Sequence, residues 1–322
     1  MCERKPPIGV RFFLVALASA GTGAALRRIQ LPKGTRLVKA IAVAVILWIP
    51  VGAWPAPPQT QLNPNAERND DESGSRKKQR DESIKVMRER ATQTKVEFIG
   101  GEEPQTAELN PTPLLYFTNE PHRIVGGSLW GWSVGGRPVA LCKVEQYDRG
   151  RPDQTWLYCL ISLTEKKVDV EWRDGESWSA KTAGVELRDF PNSPPADDER
   201  NRLRQMKDLS QRFSAMDFEP DGPGTSQFRL LTQPLWRYSC VDAGIVDGAV
   251  FATAGAAAVY LIELHQGLDK RKRWRYAATA MSAWAVSIKL DEKEIWKKDF
   301  TPGPAPYDNW IFRWELPARA GK

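Results

Sequence analysis

The chain has 322 residues, enough for two average domains or for one larger domain with tails, and a hydrophobic content of 41% is slightly low for a fully globular protein. The net charge of +6 comes from the N-terminus, because residues 1–56 carry +7, residues 57–112 carry −2 and residues 113–322 carry +1. A nearly neutral C-terminal region lacks the broad basic surface of a nucleic-acid partner, and its one dense cluster, Lys270–Arg273, is interpreted as a solvated hairpin turn.

Two apolar runs, Phe12–Leu26 and Ala40–Trp54, open the chain, and the stretch between them is basic. The second run has the form of a signal peptide's apolar region, and residues 51–53 (Val-Gly-Ala) supply a small-residue cleavage pattern. Because the leader is long, two export or membrane interpretations stay open for residues 1–56, beside that of a buried apolar helix in a cytosolic protein. They form either one signal segment, cleaved or kept as an anchor, or two short membrane crossings. Both interpretations place the rest of the chain outside the cytoplasm, in the periplasm or at the cell surface.

Residues 57–112 are predicted to be a disordered spacer. Polar and charged residues dominate residues 57–95, which contain no aromatic side chain. Such a segment cannot bury enough apolar surface to offset the entropy lost on ordering. We expect it to hold a folded domain away from the membrane, with Lys95–Ile99 adding an outlying strand.

Residues 113–322 contain an internal repeat. The run Ile124–Trp130 recurs as Ile245–Phe251, 121 positions later, and the stretch from residue 140 to 178 recurs without a gap at a spacing of 118. A repeat of this size indicates one supersecondary unit used twice. We therefore predict a single duplicated domain with an approximate two-fold axis, with repeat one over residues 113–190 and repeat two over residues 227–299.

Alternating apolar and polar residues predict five strands in each repeat. In repeat one these are Leu114–Thr118, Ser128–Val134, Val139–Tyr147, Thr155–Leu163 and Lys167–Trp172. In repeat two they are Phe228–Thr232, Ala249–Thr253, Ala258–Gln266, Trp274–Met281 and Ala285–Leu290, and Trp310–Leu316 is a last strand. The predicted fold class is mainly β, with two antiparallel β-meanders packed as a sandwich or open barrel so that each covers the other's apolar face.

One amphipathic helix is predicted between the repeats, over residues 195–217. Its apolar stripe consists of Leu203, Met206, Leu209 and Phe213. Ser193 or Asp197 is suited to cap its first turn. We expect this helix to cover an open face of one sheet.

The strands 139–147 and 155–163 are predicted to pair so that opposed residue numbers sum to about 301. This register places a carboxylate beside two aromatic rings in each repeat, and the six residues are Glu145, Trp156, Tyr158, Glu263, Trp274 and Tyr276. A sugar ring can stack on the aromatic rings and donate hydroxyl hydrogen bonds to the carboxylate, so these are the candidate ligand-binding residues. The alternatives are a surface ladder of side chains, or a polar pair packed under the helix.

The same register places Cys142 opposite Cys159, which predicts a disulfide, with two free buried thiols as the alternative. His122 and His265 lie near no Ser or Cys nucleophile in a recognisable motif. The chain has no Cys-x-x-Cys spacing and no glycine-rich phosphate-binding motif. We predict no catalytic residue, no metal site and no cofactor from these patterns.

Several phrase-like runs resemble a family of uncharacterised exported proteins in planctomycete genomes. They are Ile124–Trp132, Arg137–Leu141, Trp156–Tyr158 and Leu203–Leu209. The resemblance spans about residues 113–300 and implies export and one repeated module, but no activity, ligand or functional residue.

The function expected from the sequence is that of a non-enzymatic module outside the cytoplasm, which binds a glycan or envelope protein or has a structural role in the envelope. The alternative is an envelope glycan hydrolase that uses Glu145 and Glu263 as its two carboxylates. A third interpretation is a sensor that signals through its N-terminal helices.

Overall fold

The computed structural model describes residues 70–148, 155–173, 175–218, 225–301, 303 and 305–315. The signal or anchor predicted for residues 1–56 lies outside the described residues, as does the first part of the predicted spacer, residues 57–69. Within the described ranges, no helix is both long enough and apolar enough to cross a membrane.

The first half of the described chain begins with a helix that is followed by ten strands. They are α1 (Asp70–Thr92), β1 (Lys95–Ile99), β2 (Gln105–Thr106), β3 (Glu108–Leu109), β4 (Leu115–Asn119), β5 (Ile124–Val134), β6 (Arg137–Tyr147), β7 (Trp156–Ser162), β8 (Lys167–Glu171), β9 (Ser177–Ser179) and β10 (Arg188–Asp189). Gly135 and Gly136 form the tight turn between β5 and β6, where φ values of 56° and 83° favour glycine.

The second half repeats this order, again with the helix first. Its elements are α2 (Glu199–Ser210), β11 (Phe213–Phe218), β12 (Thr225–Gln227), β13 (Trp236–Cys240), β14 (Ile245–Ala252), β15 (Ala258–Gln266), β16 (Lys272–Ala280), β17 (Ala285–Leu290), β18 (Lys293–Lys298), β19 (Ala305–Pro306) and β20 (Trp310–Trp314). Asp198 caps α2, and its carboxylate accepts the backbone N–H of Asn201 at 2.9 Å.

The strands form four antiparallel sheets. Their orders are β2-β1-β8-β9 in sheet A, β19-β20-β7-β6-β5-β3 in sheet B with β4 also on β5, β10-β16-β15-β14-β13 in sheet C, and β12-β11-β17-β18 in sheet D. Three hydrophobic cores separate the layers: α1 and sheet A pack on sheet B, sheet B packs on sheet C, and sheet C packs on sheet D and α2. The predicted mainly β, layered fold is confirmed, and none of these four sheets closes into a barrel.

The two halves use the same strand pairings. Gly127 faces Glu145 between β5 and β6, and Gly248 faces Glu263 between β14 and β15. The repeat extends further toward the N-terminus than predicted, because β1 pairs with β8 in the first half as β11 pairs with β17 in the second. Each half therefore consists of a helix, an outer sheet and a central sheet.

Each half also contributes a strand to the central sheet of the other half. β10 follows repeat one but pairs with β16 of repeat two, where Arg188 faces Tyr276. β20 follows repeat two but pairs with β7 of repeat one, where Arg313 faces Tyr158. The two tyrosines are equivalent positions in the repeat, so this exchange of strands obeys the same approximate symmetry.

The predicted spacer is wrong over residues 70–109, which form α1 and the strands β1 to β3. Met87 and Ala91 near the end of α1 are fully buried against sheet B, at 0% and 1% exposure. This contact explains why a polar helix is ordered, because its last turns bury apolar side chains. The predicted strand at Lys95–Ile99 is confirmed as β1.

The predicted helix over residues 195–217 is too long. Its second part is the strand β11, in which Phe213 and Ala215 alternate with more exposed residues and pack on sheet C. The cap is Asp198 instead of Ser193 or Asp197. Residues 228–232 do not form the strand predicted there, and β13 occupies the position equivalent to β4.

Candidate ligand-binding site

The hairpin of β6 and β7 differs by one residue from the predicted register. Opposed residue numbers sum to 302, so that Glu145 faces Leu157. A shift of one residue moves every side chain of a strand to the other face of the sheet. Glu145 therefore points toward the core between sheets B and C, whereas Trp156 and Tyr158 lie on the opposite face, and the predicted cluster is wrong in repeat one.

Trp156 and Tyr158 are covered by α1. The guanidinium of Arg90 lies 4.0 Å from the ring centroid of Trp156 and donates to the Tyr158 hydroxyl at 3.3 Å. Arg90 also forms an ion pair with Glu315. Burial raises the pKa of Tyr158 to about 12. These rings pack under α1, a helix that was not predicted, and offer no open platform to a ligand.

The same correction applies to repeat two. Glu263 faces Arg275 and lies on the opposite face of sheet C from Trp274 and Tyr276. Trp274 is only 1% exposed, and its indole N–H donates to Gln205 of α2 at 2.8 Å. Tyr276 is also buried, in the core between sheets C and D.

The predicted disulfide between Cys142 and Cys159 is wrong, because both thiols are free. Cys142 faces Leu160 and Cys159 faces Lys143, which places the two sulfur atoms on opposite faces of sheet B. Burial raises the pKa of both thiols, that of Cys159 to about 11. Among the described residues, no group of three or more His, Cys, Asp or Glu side chains is placed to hold a metal ion.

Glu263 lies in a closed ionic site between the two repeats. Arg137 at the start of β6 donates from Nε to one carboxylate oxygen at 3.0 Å and from Nη2 to the other at 3.4 Å. The Tyr238 hydroxyl donates at 2.7 Å, and His265 Nε2 lies 2.8 Å away. Burial by itself raises the pKa of Glu263, but its hydrogen bonds and the charge of Arg137 lower the pKa to about 2. Glu263 has no exposed surface.

Glu145 occupies the equivalent position in repeat one, and it lines an open cavity of about 480 Å³. Lys143 Nζ lies 3.3 Å from the Glu145 carboxylate, and the Tyr147 hydroxyl donates to it at 3.0 Å. Both members of this ion pair are largely buried, at 8% and 5% exposure. The aromatic walls of the cavity are Phe117, Phe228, Trp284, Phe300, Phe312 and Trp314.

A difference in hairpin length explains why one site is closed and the other is open. In repeat one, Trp132 and Ala140 are the last facing pair before the register of the hairpin shifts, and residues 133–139 connect them. In repeat two, only residues 254–257 separate the equivalent pair, Thr253 and Ala258. The longer hairpin is long enough for Arg137 to contact Glu263. From the shorter hairpin, only the small residues Ala254, Gly255 and Ala257 line the cavity over Glu145.

The longer hairpin packs closely on repeat two. A Cβ atom on Gly136 would come within 3.1 Å of the backbone oxygen of Ser239 on β13. The absence of a side chain at this glycine therefore lets the hairpin approach β13 and insert the Arg137 guanidinium. The short hairpin of repeat two has no equivalent reach.

The walls of the open cavity also differ from the matching positions of the other repeat. Comparing the strand registers of the two repeats shows which positions are equivalent. Phe228 corresponds to Ala107, Trp284 to Lys166, Trp314 to Asp189 and Lys143 to Leu261. These three aromatic rings and the lysine are thus particular to the site over Glu145. The two copies of the repeated unit therefore differ at this point: Arg137 fills the site over Glu263, whereas aromatic side chains line the site over Glu145.

A second lysine lies beside the cavity. Lys298 Nζ donates to the backbone oxygen of Ser282, a residue that lines the cavity, and lies 3.9 Å from the ring centroid of Trp310. Burial lowers the pKa of Lys298 to about 8; the charge of Lys143 also lowers it, while Cys159 acts in the opposite direction. The cavity itself offers carboxylate acceptors and the ammonium group of Lys143 next to aromatic rings.

Sequence reasoning identified Glu145 but missed every aromatic residue of the cavity wall. These side chains come from both repeats and from β20, so no local pattern connects them. One signal was present: the spacing of the repeat changes from 121 to 118 between the two matched runs. This change marks the three-residue shortening of the hairpin that opens the cavity.

In comparisons with known proteins, no family model, no curated protein and no solved structure matches this chain.

Proposed function

We propose that this protein is a non-catalytic glycan-binding module outside the cytoplasm, and that the cavity over Glu145 holds a neutral sugar residue. The observation that carries the proposal is the asymmetry between the two equivalent glutamate sites. Arg137 fills one site from within the chain, while the other is open and lined with aromatic rings. A volume of about 480 Å³ lies in the range of about 300–1,000 Å³ that is typical of small-molecule sites.

The chemistry of the cavity favours a neutral ligand with many hydroxyl groups. Glu145 and Lys143 form a neutral pair that offers an acceptor and a donor side by side, which suits adjacent hydroxyls of a sugar. Trp284 and Phe300 lie 5.5 Å apart, at the wall of the same cavity, and can stack on the apolar face of the ring. A purely apolar ligand would leave the buried ion pair without additional partners.

The proposed location rests on the N-terminal sequence. The apolar run Ala40–Trp54 with its basic flank and following prolines has the pattern of an export signal. The resemblance to exported planctomycete proteins supports the same location. A module held outside the cytoplasm would meet envelope glycans directly.

The hydrolase alternative has less support. Hydrolysis by a carboxylate pair needs both groups beside one glycosidic bond, separated by roughly 5–10 Å. Glu145 lines the cavity but Glu263 does not, and the oxygens of Glu263 already accept from Arg137 and Tyr238. A carboxyl group with a pKa near 2 is also a poor general acid at neutral pH.

The test is binding of the purified protein to a glycan array, followed by calorimetry with the best neutral oligosaccharide. We expect Glu145→Gln to weaken affinity about 10- to 100-fold, because a hydrogen bond to a charged group contributes about 1.5–3 kcal/mol. Trp284→Ala should weaken affinity by a similar factor through loss of stacking. Retention of no glycan, or equal affinity of Glu145→Gln and wild type, would overturn the proposal.

Two controls separate binding from folding. Glu145→Gln leaves Lys143 buried without its partner, so the double variant Lys143→Leu/Glu145→Gln removes both charges and uses the leucine that repeat two has at the position equivalent to Lys143. It should also lose glycan binding, with a melting temperature closer to that of wild type. Glu292→Gln changes a glutamate that is 86% exposed, and it should bind as wild type does.

A further inference from the structure

The two most exposed large apolar side chains of the described residues are Val241 and Leu268. Val241 is 88% exposed and Leu268 is 108% exposed, whereas the other exposed large apolar residues lie at 40–45%. Exposing a single apolar side chain is ordinary, but two at nearly full exposure on one edge call for a physical reason.

The sheet order places these two residues close together, at the same end of the strands of sheet C, which is called the edge below. Val241 follows β13 in the turn to β14, and Leu268 follows β15 in the turn to β16. In the antiparallel order β16-β15-β14-β13, both turns lie at one end of sheet C. A hydrogen bond from Gln266 N to Gly244 O, at 2.9 Å, ties the two turns together.

The same edge is basic. Lys270, Arg271, Lys272 and Arg273 are consecutive and exposed. Two exposed acids oppose them, Asp242 and Asp269, and Asp269 lies 3.8 Å from Arg271 and 3.3 Å from Arg273. Four cations against two anions leave a net charge of +2, and exposed ion pairs of this kind leave the arginines free to meet other anions.

We propose that this edge docks on an anionic lipid bilayer, with Leu268 and Val241 entering the interface and the four basic side chains meeting the headgroups. Exposed apolar tips among basic side chains are the combination that binds such a surface, because the tips bury apolar area and the charges are attracted to anionic lipids. A phosphate backbone of nucleic acid would use the charges but not the two apolar tips. The solvated turn expected from the sequence accounts for the charges alone.

The test uses the full chain with Cys2→Ser and an environment-sensitive fluorophore on Leu268→Cys. The other three cysteines are buried and free, which keeps the label on one site. Vesicles of phosphatidylcholine with and without phosphatidylglycerol are added. We expect a blue shift of the emission with the anionic vesicles only, reversed by high salt.

The matched control carries the fluorophore on Thr232→Cys, an exposed position at the opposite end of sheet C. It should show no shift. Each basic residue near an anionic surface strengthens binding about fivefold, so Lys270→Glu/Lys272→Glu should weaken vesicle affinity by about 25-fold or more.

Four outcomes of the vesicle experiment overturn the proposal. They are no shift at position 268, an equal shift at positions 268 and 232, a shift that is unchanged by salt and by charge reversal, and a concentration-dependent shift without lipid. The second outcome means that the N-terminal segment alone brings the chain to the bilayer, and the last means that a second copy of the chain covers this edge. Binding of DNA without any response to vesicles would also exclude the bilayer.

Discussion

At the residue scale, Glu145 and Glu263 have the same position in the repeat but different partners. A carboxylate that is buried without a compensating cation is costly, so the site that lacks an arginine needs another cation. Lys143 supplies it from the same strand as Glu145, whereas repeat two has Leu261 at that position. The charge of Glu145 is thus balanced by Lys143, and an open cavity lies beside Glu145 where Arg137 lies beside Glu263.

Arg137→Met should lower the free energy of unfolding by about 3–5 kcal/mol at neutral pH, because it leaves the Glu263 carboxylate buried without its main cation. The double variant Arg137→Met/Glu263→Leu should recover most of this loss, since a well-packed apolar pair can replace a buried ion pair. Urea denaturation gives both values. The matched control is Arg188→Met, whose pair with Glu186 is exposed and should contribute no more than about 1 kcal/mol. Equal losses for Arg137→Met and Arg188→Met would contradict the role of the buried pair.

The same site predicts a loss of stability in acid. The pKa of Glu263 is about 2 in the folded protein against an ordinary 4.5, so the folded state binds fewer protons in this range. The resulting stabilisation is fully present above about pH 4.5 and is lost as the pH falls toward 2, by up to about 3 kcal/mol. Denaturation curves at several pH values should show this slope in wild type and a smaller slope in Arg137→Met/Glu263→Leu. Equal slopes would show that Glu263 does not carry the effect.

At the scale of elements, the strands were predictable from sequence, but the register of β6 and β7 was not. Ala258–Gln266 and Ala285–Leu290 match the observed strands residue for residue. Both faces of the central sheets are buried, one against an outer sheet and one against the other central sheet. Apolar side chains therefore point to both faces of β7, as Leu157 and Tyr158 do, and the sequence pattern does not show which face packs against sheet C. A register error of one residue was enough to move Glu145 to the wrong face.

Helix α1 was missed for a related reason. Met87 and Ala91 bury its last turns, while most of the rest of its described surface is polar and exposed. Composition averages over the whole segment, and two buried residues do not change that average. The equivalent helix α2 was found because its apolar stripe extends over three turns, through Met206 and Leu209. Each half of the chain has a helix before the first strand of its outer sheet. Had the repeat been extended to include α2, it would have predicted α1 at the equivalent position of the first half.

The exchanged strand β20 predicts that a change in the C-terminal segment weakens repeat one. Trp310 is 8% exposed, stacks on Tyr307 with ring centroids 4.4 Å apart, and faces Ile161 of β7. Trp310→Ala should lower the free energy of unfolding by about 3–5 kcal/mol. Hydrogen exchange should show faster exchange in peptides that cover β7 than in peptides that cover β17. Val86→Ala, at a position that is 40% exposed, is the control and should leave both unchanged. Faster exchange that is confined to residues after 300 would contradict the exchange of strands.

At the scale of the whole molecule, the middle core makes the two repeats depend on each other. It combines Leu129, Leu141 and Ile161 of repeat one with Val250 and Leu261 of repeat two. Neither central sheet buries this face without the other. Each central sheet also contains a strand that belongs to the other half of the chain. The repeats are therefore parts of one cooperative unit, although each carries its own helix and outer sheet.

A cut between the halves tests this dependence. A protease site inserted between Asn192 and Ser193 falls in an irregular segment between β10 and α2. After cleavage the halves should stay together in size-exclusion chromatography and unfold in one transition, because the middle core and two exchanged strands join them. Once separated in urea, each half alone should regain no cooperative transition, since its central sheet has an uncovered apolar face and lacks a strand. Mixing the halves should restore the complex at a one-to-one ratio. Halves that separate without denaturant and keep their own transitions would mean that the repeats are independent domains, and the cavity between them would then need a different explanation.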